Sequence, residues 1–192
     1  MKYKLTDETK VVDNITLHRI ECVTAFDDIE CGAKGGWIES EKNLSQDGNA
    51  WVCRHAIVRD NATVRDSAWV CENAIVCGNA IVCENAIVGG NARISGNATV
   101  SGNAWVGENA MVCGNADYIV FKNWWSSGRY FTWTRSNNKW TVGCFYESGE
   151  ELIKKAYKDS EKSGREYERV VKYVNDILKE ENNNGNRNKR EG

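Results

Sequence analysis

The chain has 192 residues, with 25 lysines and arginines against 27 aspartates and glutamates and a formal charge of −2. That balance argues against a typical nucleic-acid binder, whose surface is strongly basic, and equally against a strongly acidic surface. No apolar run approaches the roughly 20 residues of a membrane span, and the opening Met1-Lys2-Tyr3-Lys4-Leu5-Thr6-Asp7 lacks a signal-peptide core, so a cytoplasmic protein without membrane contact is expected.

Residues 1–45 read as an N-terminal cap. Ile15, Leu17, Ile20, Cys22, Val23 and Phe26 suggest one or two strands. Such a cap shields the core at an open solenoid end and blocks edge pairing. Its nine carboxylates against six cations read as solvated surface.

From residue 46 to 116 the pattern changes. Alanine recurs every sixth residue twelve times, from Ala50 to Ala116, and a branched aliphatic follows two residues later, from Val52 to Val112. A strict six-residue period fits neither a helix nor a run of hairpins and is a signature of parallel β-helices. If three hexads form one triangular coil, residues eighteen apart stack about 4.8 Å from each other, the ordinary spacing between strands. The aliphatics then fill the prism and the alanines its tight corners. Asparagine precedes alanine in ten of the twelve hexads, His55 and Ser67 being the exceptions. Asparagine and glycine tolerate left-handed backbone, so this column reads as corners. Twelve hexads predict four coils. Proline, which cannot donate a ladder hydrogen bond, is absent.

Cys71, Cys77 and Cys83 lie six apart and fall on three different sides, so they cannot converge on one metal ion. Cys53 and Cys71 are eighteen apart and could stack within disulfide range. A reducing compartment argues against a bond, and the cysteines are expected to be reduced packing residues. No metal or other cofactor is expected.

The residue between each alanine and the inward aliphatic should point outward. One such column reads Trp51, Trp69, Ile87, Trp105, and the next reads Ile57, Ile75, Arg93, Met111. Apolar stripes of that size mark an interface, either between copies of the chain or with the chain's own C-terminal helices.

Residues 117–146 carry ten aromatics and no carboxylate from Tyr118 to Tyr146, with Lys122, Arg129, Arg135 and Lys139 interleaved. Alternation over 129–134 and 139–144 predicts a hairpin. Rings beside guanidinium groups suit stacking and charge-assisted recognition of a base with phosphate. Trp124, Trp125, Ser127, Arg129, Tyr130, Trp133 and Arg135 are therefore the candidate ligand or partner site. A small aromatic core is the plainer reading of the same residues.

Two helices are expected over 147–181, each opened by a capping box, Ser148 with Glu151 and Ser163 with Glu166. Residues 182–192 are polar and rich in asparagine and charge, the composition of a disordered tail.

The aliphatic-to-alanine hexads resemble the hexapeptide-repeat family, whose fold is a left-handed parallel β-helix. The resemblance extends to Gly35-Gly36-Trp37-Ile38-Glu39-Ser40-Glu41 with Asn43-Leu44-Ser45, which looks like the entry segment of bacterial proteins named as hexapeptide transferases and of related phage proteins. Trp125-Ser126-Ser127-Gly128-Arg129-Tyr130-Phe131 and Ser163-Gly164-Arg165-Glu166-Tyr167 resemble phage-borne members. The expected fold is thus mainly β, a four-coil left-handed β-helix with an N-terminal β cap and a C-terminal α+β region. The resemblance implies a trimer or dimer in which Trp51, Trp69, Ile87, Trp105, Ile57, Ile75 and Met111 form the contact. Family acyltransferases use a histidine base, for which this chain offers only His55, in a corner slot, or His18. The zinc-dependent anhydrase branch needs three histidines, and this chain has two. The expectation is a non-catalytic oligomeric binding protein, of phage origin by resemblance, that blocks a host defence protein or sequesters a small nucleotide. An acyltransferase and a structural scaffold are the alternatives.

Overall fold

The structure is a computed structural model that describes residues 1–143 and 145–188, with side chains through Glu181. It divides into two compact units, Met1–Lys122 with Tyr130–Tyr146, and Asn123–Arg129 with Glu147–Gly192.

In the first unit, β1 (Tyr3–Val12) and β2 (Ile15–Cys22) form an antiparallel hairpin that pairs through β2 with β3 (Lys34–Ile38). Eleven two-residue rungs follow, β4 (Trp51–Val52) through β14 (Met111–Val112). They stack in parallel as three columns: Trp51, Trp69, Ile87 and Trp105 on one side, Ile57, Ile75, Arg93 and Met111 on the second, and Thr63, Ile81 and Thr99 on the third. Partners lie eighteen residues apart, as the hexad arithmetic requires. The inward aliphatics from Val52 to Val112 have no exposed surface, and Ala50 to Ala110 are at most 1% exposed. Each buried valine contributes on the order of 1.5–3 kcal/mol relative to an exposed one, so this single apolar column dominates the stability of the unit.

The solenoid begins earlier than residue 46. Trp37 pairs with Ile57, Ile38 with Val58 and Leu44 with Val64, each parallel and twenty residues apart. Two residues beyond the regular eighteen are therefore absorbed in this first coil. Its alanine slot is Gly36, where a Cβ would lie 2.3 Å from the Cys53 carbonyl oxygen. The loss of alanine and the longer spacing hide this coil from a search for strict hexads.

The corners also differ from expectation. The left-handed residue is the one two before alanine: Asp60, Asp66, Glu72, Glu84 and Glu108 have φ between 53° and 62°, and Gly78, Gly90, Gly96 and Gly102 occupy the same slot. Acidic side chains stabilise the turn by accepting from the amide one coil further on. Asp60 accepts from Gly78 N at 2.8 Å and Asp66 from Glu84 N at 3.1 Å, and Glu72 accepts from Gly90 N. The asparagines instead stack by side-chain amides, Asn61 to Asn79 at 3.2 Å and Asn79 to Asn97 at 3.0 Å. A second ladder joins Asn73, Asn91 and Asn109.

Cysteine pairing is a further correction. Cys53 and Cys71 are joined by a disulfide, where reduced packing residues were expected. Column stacking brings their Cα atoms to 4.5 Å, within reach of a bond. Cys22, Cys77 and Cys83 are buried free thiols, whereas Cys31 and Cys113 are exposed. Cys144 lies outside the described residues.

Both ends of the column are closed by side chains. At the first coil, Lys2 Nζ donates to the carbonyls of Ala50 at 2.9 Å and Gly48 at 3.3 Å, and Asn43 Nδ2 to those of Ala62 at 2.8 Å and Asp60 at 3.1 Å. At the last coil the backbone donors Thr99, Trp105, Met111 and Cys113 give their N–H groups to Asn115, Thr132, Ser136 and Asp117 side-chain oxygens, at 2.7–2.9 Å. Edge groups satisfied in this way cannot template another chain.

After the last coil, β15 (Tyr118–Lys122), β16 (Tyr130–Thr134), β17 (Lys139–Val142) and β18 (Phe145–Glu147) make a four-stranded sheet, larger than the hairpin expected. In the second unit, α1 (Gly149–Asp159) starts at Ser148, whose hydroxyl accepts from Glu151 N at 3.3 Å. α2 spans Glu161–Asn188. Ser160 rather than Ser163 caps it, accepting from Ser163 N at 3.1 Å, and Ser163 is buried in the first turn. The helix continues through residues expected to be an unstructured tail, and residues 189–192 lie outside the described part.

Candidate functional site

His55, the histidine that an acyltransferase would need, is exposed at a corner between Arg54 and Ala56. It occupies the first position of the column continued by the Asn73, Asn91 and Asn109 ladder. His18 lies in β2, paired with Thr9 and Ile38. Among the described residues no cluster of three or more histidine, cysteine or carboxylate side chains could hold a metal ion, and no helix is long and apolar enough to cross a membrane.

The aromatic candidates fall into two groups. Trp124, Trp125, Ser127 and Arg129 belong to the second unit, and Tyr130, Trp133 and Arg135 to the first. In the second unit, Asn123–Arg129 is a turn tied at its base. Asn123 N donates to Arg129 O at 2.8 Å and Gly128 N to Asn123 O at 2.8 Å. The Asn123 side chain accepts from Ser126 N at 3.0 Å and donates to the Tyr167 hydroxyl at 3.1 Å. Burial pushes that phenol above its ordinary pKa, so it stays protonated at neutral pH. Trp125 packs edge-on against Tyr167 with centroids 5.0 Å apart and is buried. Trp124 meets Trp125 edge-on at 6.0 Å and is 71% exposed. Adjacent tryptophans thus serve opposite purposes, one anchoring the turn and one projecting from it. Ser127 and Arg129 are exposed, and Ser127 Oγ accepts from Arg129 N at 3.4 Å.

In the first unit, Trp133 is 1% exposed and its indole donates to Asn138 Oδ1 at 2.8 Å. Its ring is core, so stacking on a ligand is closed to it. Arg135 reaches over that ring at 5.8 Å and donates from Nε to Ala116 O at 3.1 Å. Tyr130 is 41% exposed with Lys122 above its ring at 5.5 Å.

The outward columns are unevenly covered. Trp51 is buried against Phe26, ring centroids 5.6 Å apart, so it cannot join an oligomer contact without moving that ring. Trp69, Trp105, Ile57 and Ile75 are half-buried, whereas Ile87 and Met111 are exposed.

Sequence reasoning missed one polar hollow of about 370 Å³, lined by Glu8, Arg19, Lys34 and Arg54. A signal was present. Arg54 is the one cation in a slot filled elsewhere, from Gly48 to Gly114, by aspartate, glutamate or glycine.

Comparison with known proteins agrees with the solenoid geometry. A family model described as the YdcK beta solenoid repeat matches residues 92–108. The protein named "Uncharacterized acetyltransferase YdcK" of Escherichia coli (strain K12) is 34% identical over 59 residues, covering 27% of this chain. The match spans only 18% of that relative's length. Columns of rungs eighteen residues apart, filled by alanine and valine, together with these matches, define a hexapeptide-repeat β-solenoid protein.

Proposed function

We propose that this chain is a non-catalytic binding protein that engages a partner protein through the Asn123–Arg129 turn. The observation that carries the reading is Trp124, 71% exposed on a turn whose base is fixed by hydrogen bonds from both its backbone and Asn123. An exposed indole costs solvation unless something covers it, and tryptophan and arginine are the residues most enriched among interface hot spots. A braced turn also loses little conformational entropy on docking. Burial of Trp125 and Trp133 favours a protein over a nucleotide, because the rings that would sandwich a base are already packed. Resemblance to phage-borne repeat proteins makes a host protein the partner to test, with inhibition as the narrower reading. Self-association through Ile87 and Met111 accompanies this proposal as the oligomer that the same resemblance implies.

The test compares affinity capture from host extract, followed by native mass spectrometry, for the wild-type chain and Trp124→Ala. A stoichiometric partner held by the wild type and lost in the variant is the expected result. A partner held equally by both would remove the turn from the interface. The relative's name supports the competing acetyltransferase reading. Acetyl-CoA-dependent turnover present in the wild type and absent in His55→Ala would replace the binding proposal.

A further inference from the structure

The hollow beside the cap is built from residues distant in sequence but fixed in space. Arg19, from β2, has its side chain only 13% exposed, and its guanidinium lies 4.1 Å from the centre of the Trp37 ring. Its Nη1 donates to Gly35 O at 3.0 Å and to Arg54 O at 2.6 Å. The second of these bonds fixes the backbone from which the Arg54 side chain departs. Glu8 spans two cations, Arg19 at 3.3 Å and Lys34 at 3.0 Å, and they hold its carboxyl below the ordinary range. The Arg54 guanidinium forms no ion pair or side-chain hydrogen bond among the described residues, although it lines the same hollow. Three cations against one carboxylate leave a local charge of +2 (3 − 1).

We infer that this hollow is a binding site for a phosphate-bearing small molecule, with Glu8 acting as an internal stand-in for part of the anion. A dianionic phosphate matches the local charge. Arginine forks and a lysine ammonium are the donors that phosphate oxygens select. The ligand is read by its phosphate and not by a base, because the Trp37 ring is already covered by Arg19 and by Lys10 at 4.5 Å. Corner geometry adds a second reason to single out Arg54. Its slot is left-handed and acidic or glycine in most other hexads, whereas Arg54 does not adopt positive φ. The corner keeps its closing bond, Ala56 N to Cys53 O at 2.9 Å, but loses the left-handed residue where the unpaired cation stands. This site lies in the first unit and does not depend on the Trp124 proposal.

Titration of the full chain with inorganic phosphate at low ionic strength, followed by calorimetry and by NMR of arginine side chains, tests the inference. Saturable binding at one site per chain is expected, with the Arg54 signal shifting. Arg54→Ala should weaken it about tenfold or more without moving the unfolding midpoint, since the side chain holds nothing in place. Glu8→Gln should strengthen it about tenfold, because Arg19 and Lys34 are released to the ligand. A purely structural ion pair would give no gain in Glu8→Gln. Absence of saturation in both the wild type and Glu8→Gln, unchanged binding in Arg54→Ala, or unchanged or weaker binding in Glu8→Gln would each overturn the proposal.

Discussion

The backbone amide of Trp105, on the last coil, donates to Thr132 Oγ1 at 2.9 Å, and Thr132 has no exposed surface. A solenoid must end somewhere, and its final amides face no further coil. A buried hydroxyl replaces the missing carbonyl. Thr132→Val keeps the shape and removes the acceptor, so the Trp105 N–H is stranded at a cost of about 1–3 kcal/mol. Ser136→Ala, which removes the exposed partner of Met111 N, should cost less because water can take its place. Thermal unfolding of both variants checks the ordering. Equal losses would show that these end hydrogen bonds are not protected from solvent.

How much of this arrangement is legible in sequence depends on what repeats. Inward branched aliphatics and alanines recur without exception from Ala50 to Val112, and the structure buries every one. Composition points to the wrong neighbour at the corner slot, because asparagine suits left-handed backbone but here builds amide ladders, while Asp60, Asp66 and Glu72 carry the positive φ. The first coil breaks the six-residue period where Gly36 replaces alanine. In β16 alternation finds the strand and its antiparallel pairing with β17 but not its burial, since Phe131, Thr132, Trp133 and Thr134 are all buried and both faces of the strand are covered. Trp124 and Trp125 differ in burial as neighbours on a strand would, although they lie on a turn. Arg54 was visible as a break in its column, but its meaning needed Arg19, Lys34 and Glu8 brought alongside by the fold.

Closure of the first coil is sensitive to pH. Burial lowers the pKa of Lys2 from 10.5 to about 8. Between those values the unfolded chain binds more protons than the folded one, so this group makes stability rise with pH from about 8 to 10.5 and leaves it flat below. Burial lowers Lys10 in the same sense, whereas the buried Cys22 and Cys83 thiols are raised and act oppositely. Subtracting the profile of Lys2→Met isolates the lysine. Denaturant unfolding of the wild type and Lys2→Met at pH 7.5 and pH 9.5 should show a wild-type gain that the variant lacks, to be set against a loss at every pH from uncapping the Ala50 and Gly48 carbonyls. Parallel profiles would mean that the ammonium is not desolvated at the coil end.

At Asp60 two effects can be separated by three substitutions. The residue has φ of 60°, and its carboxylate accepts from Gly78 N at 2.8 Å. Asp60→Gly removes the acceptor but relaxes the left-handed backbone, so the hydrogen-bond loss of about 1 kcal/mol is partly offset. Asp60→Ala loses the same bond and keeps a Cβ in a conformation that costs about 1–2 kcal/mol without local side-chain support, so it should be the most damaging. Asp60→Asn retains both an acceptor oxygen and tolerance of the turn and should be nearly neutral. The expected order of unfolding midpoints is therefore wild type and Asn, then Gly, then Ala. If alanine matched glycine, backbone conformation would carry no weight at this corner, and hydrogen bonding would account only for the carboxylates in the slot and not for its glycines.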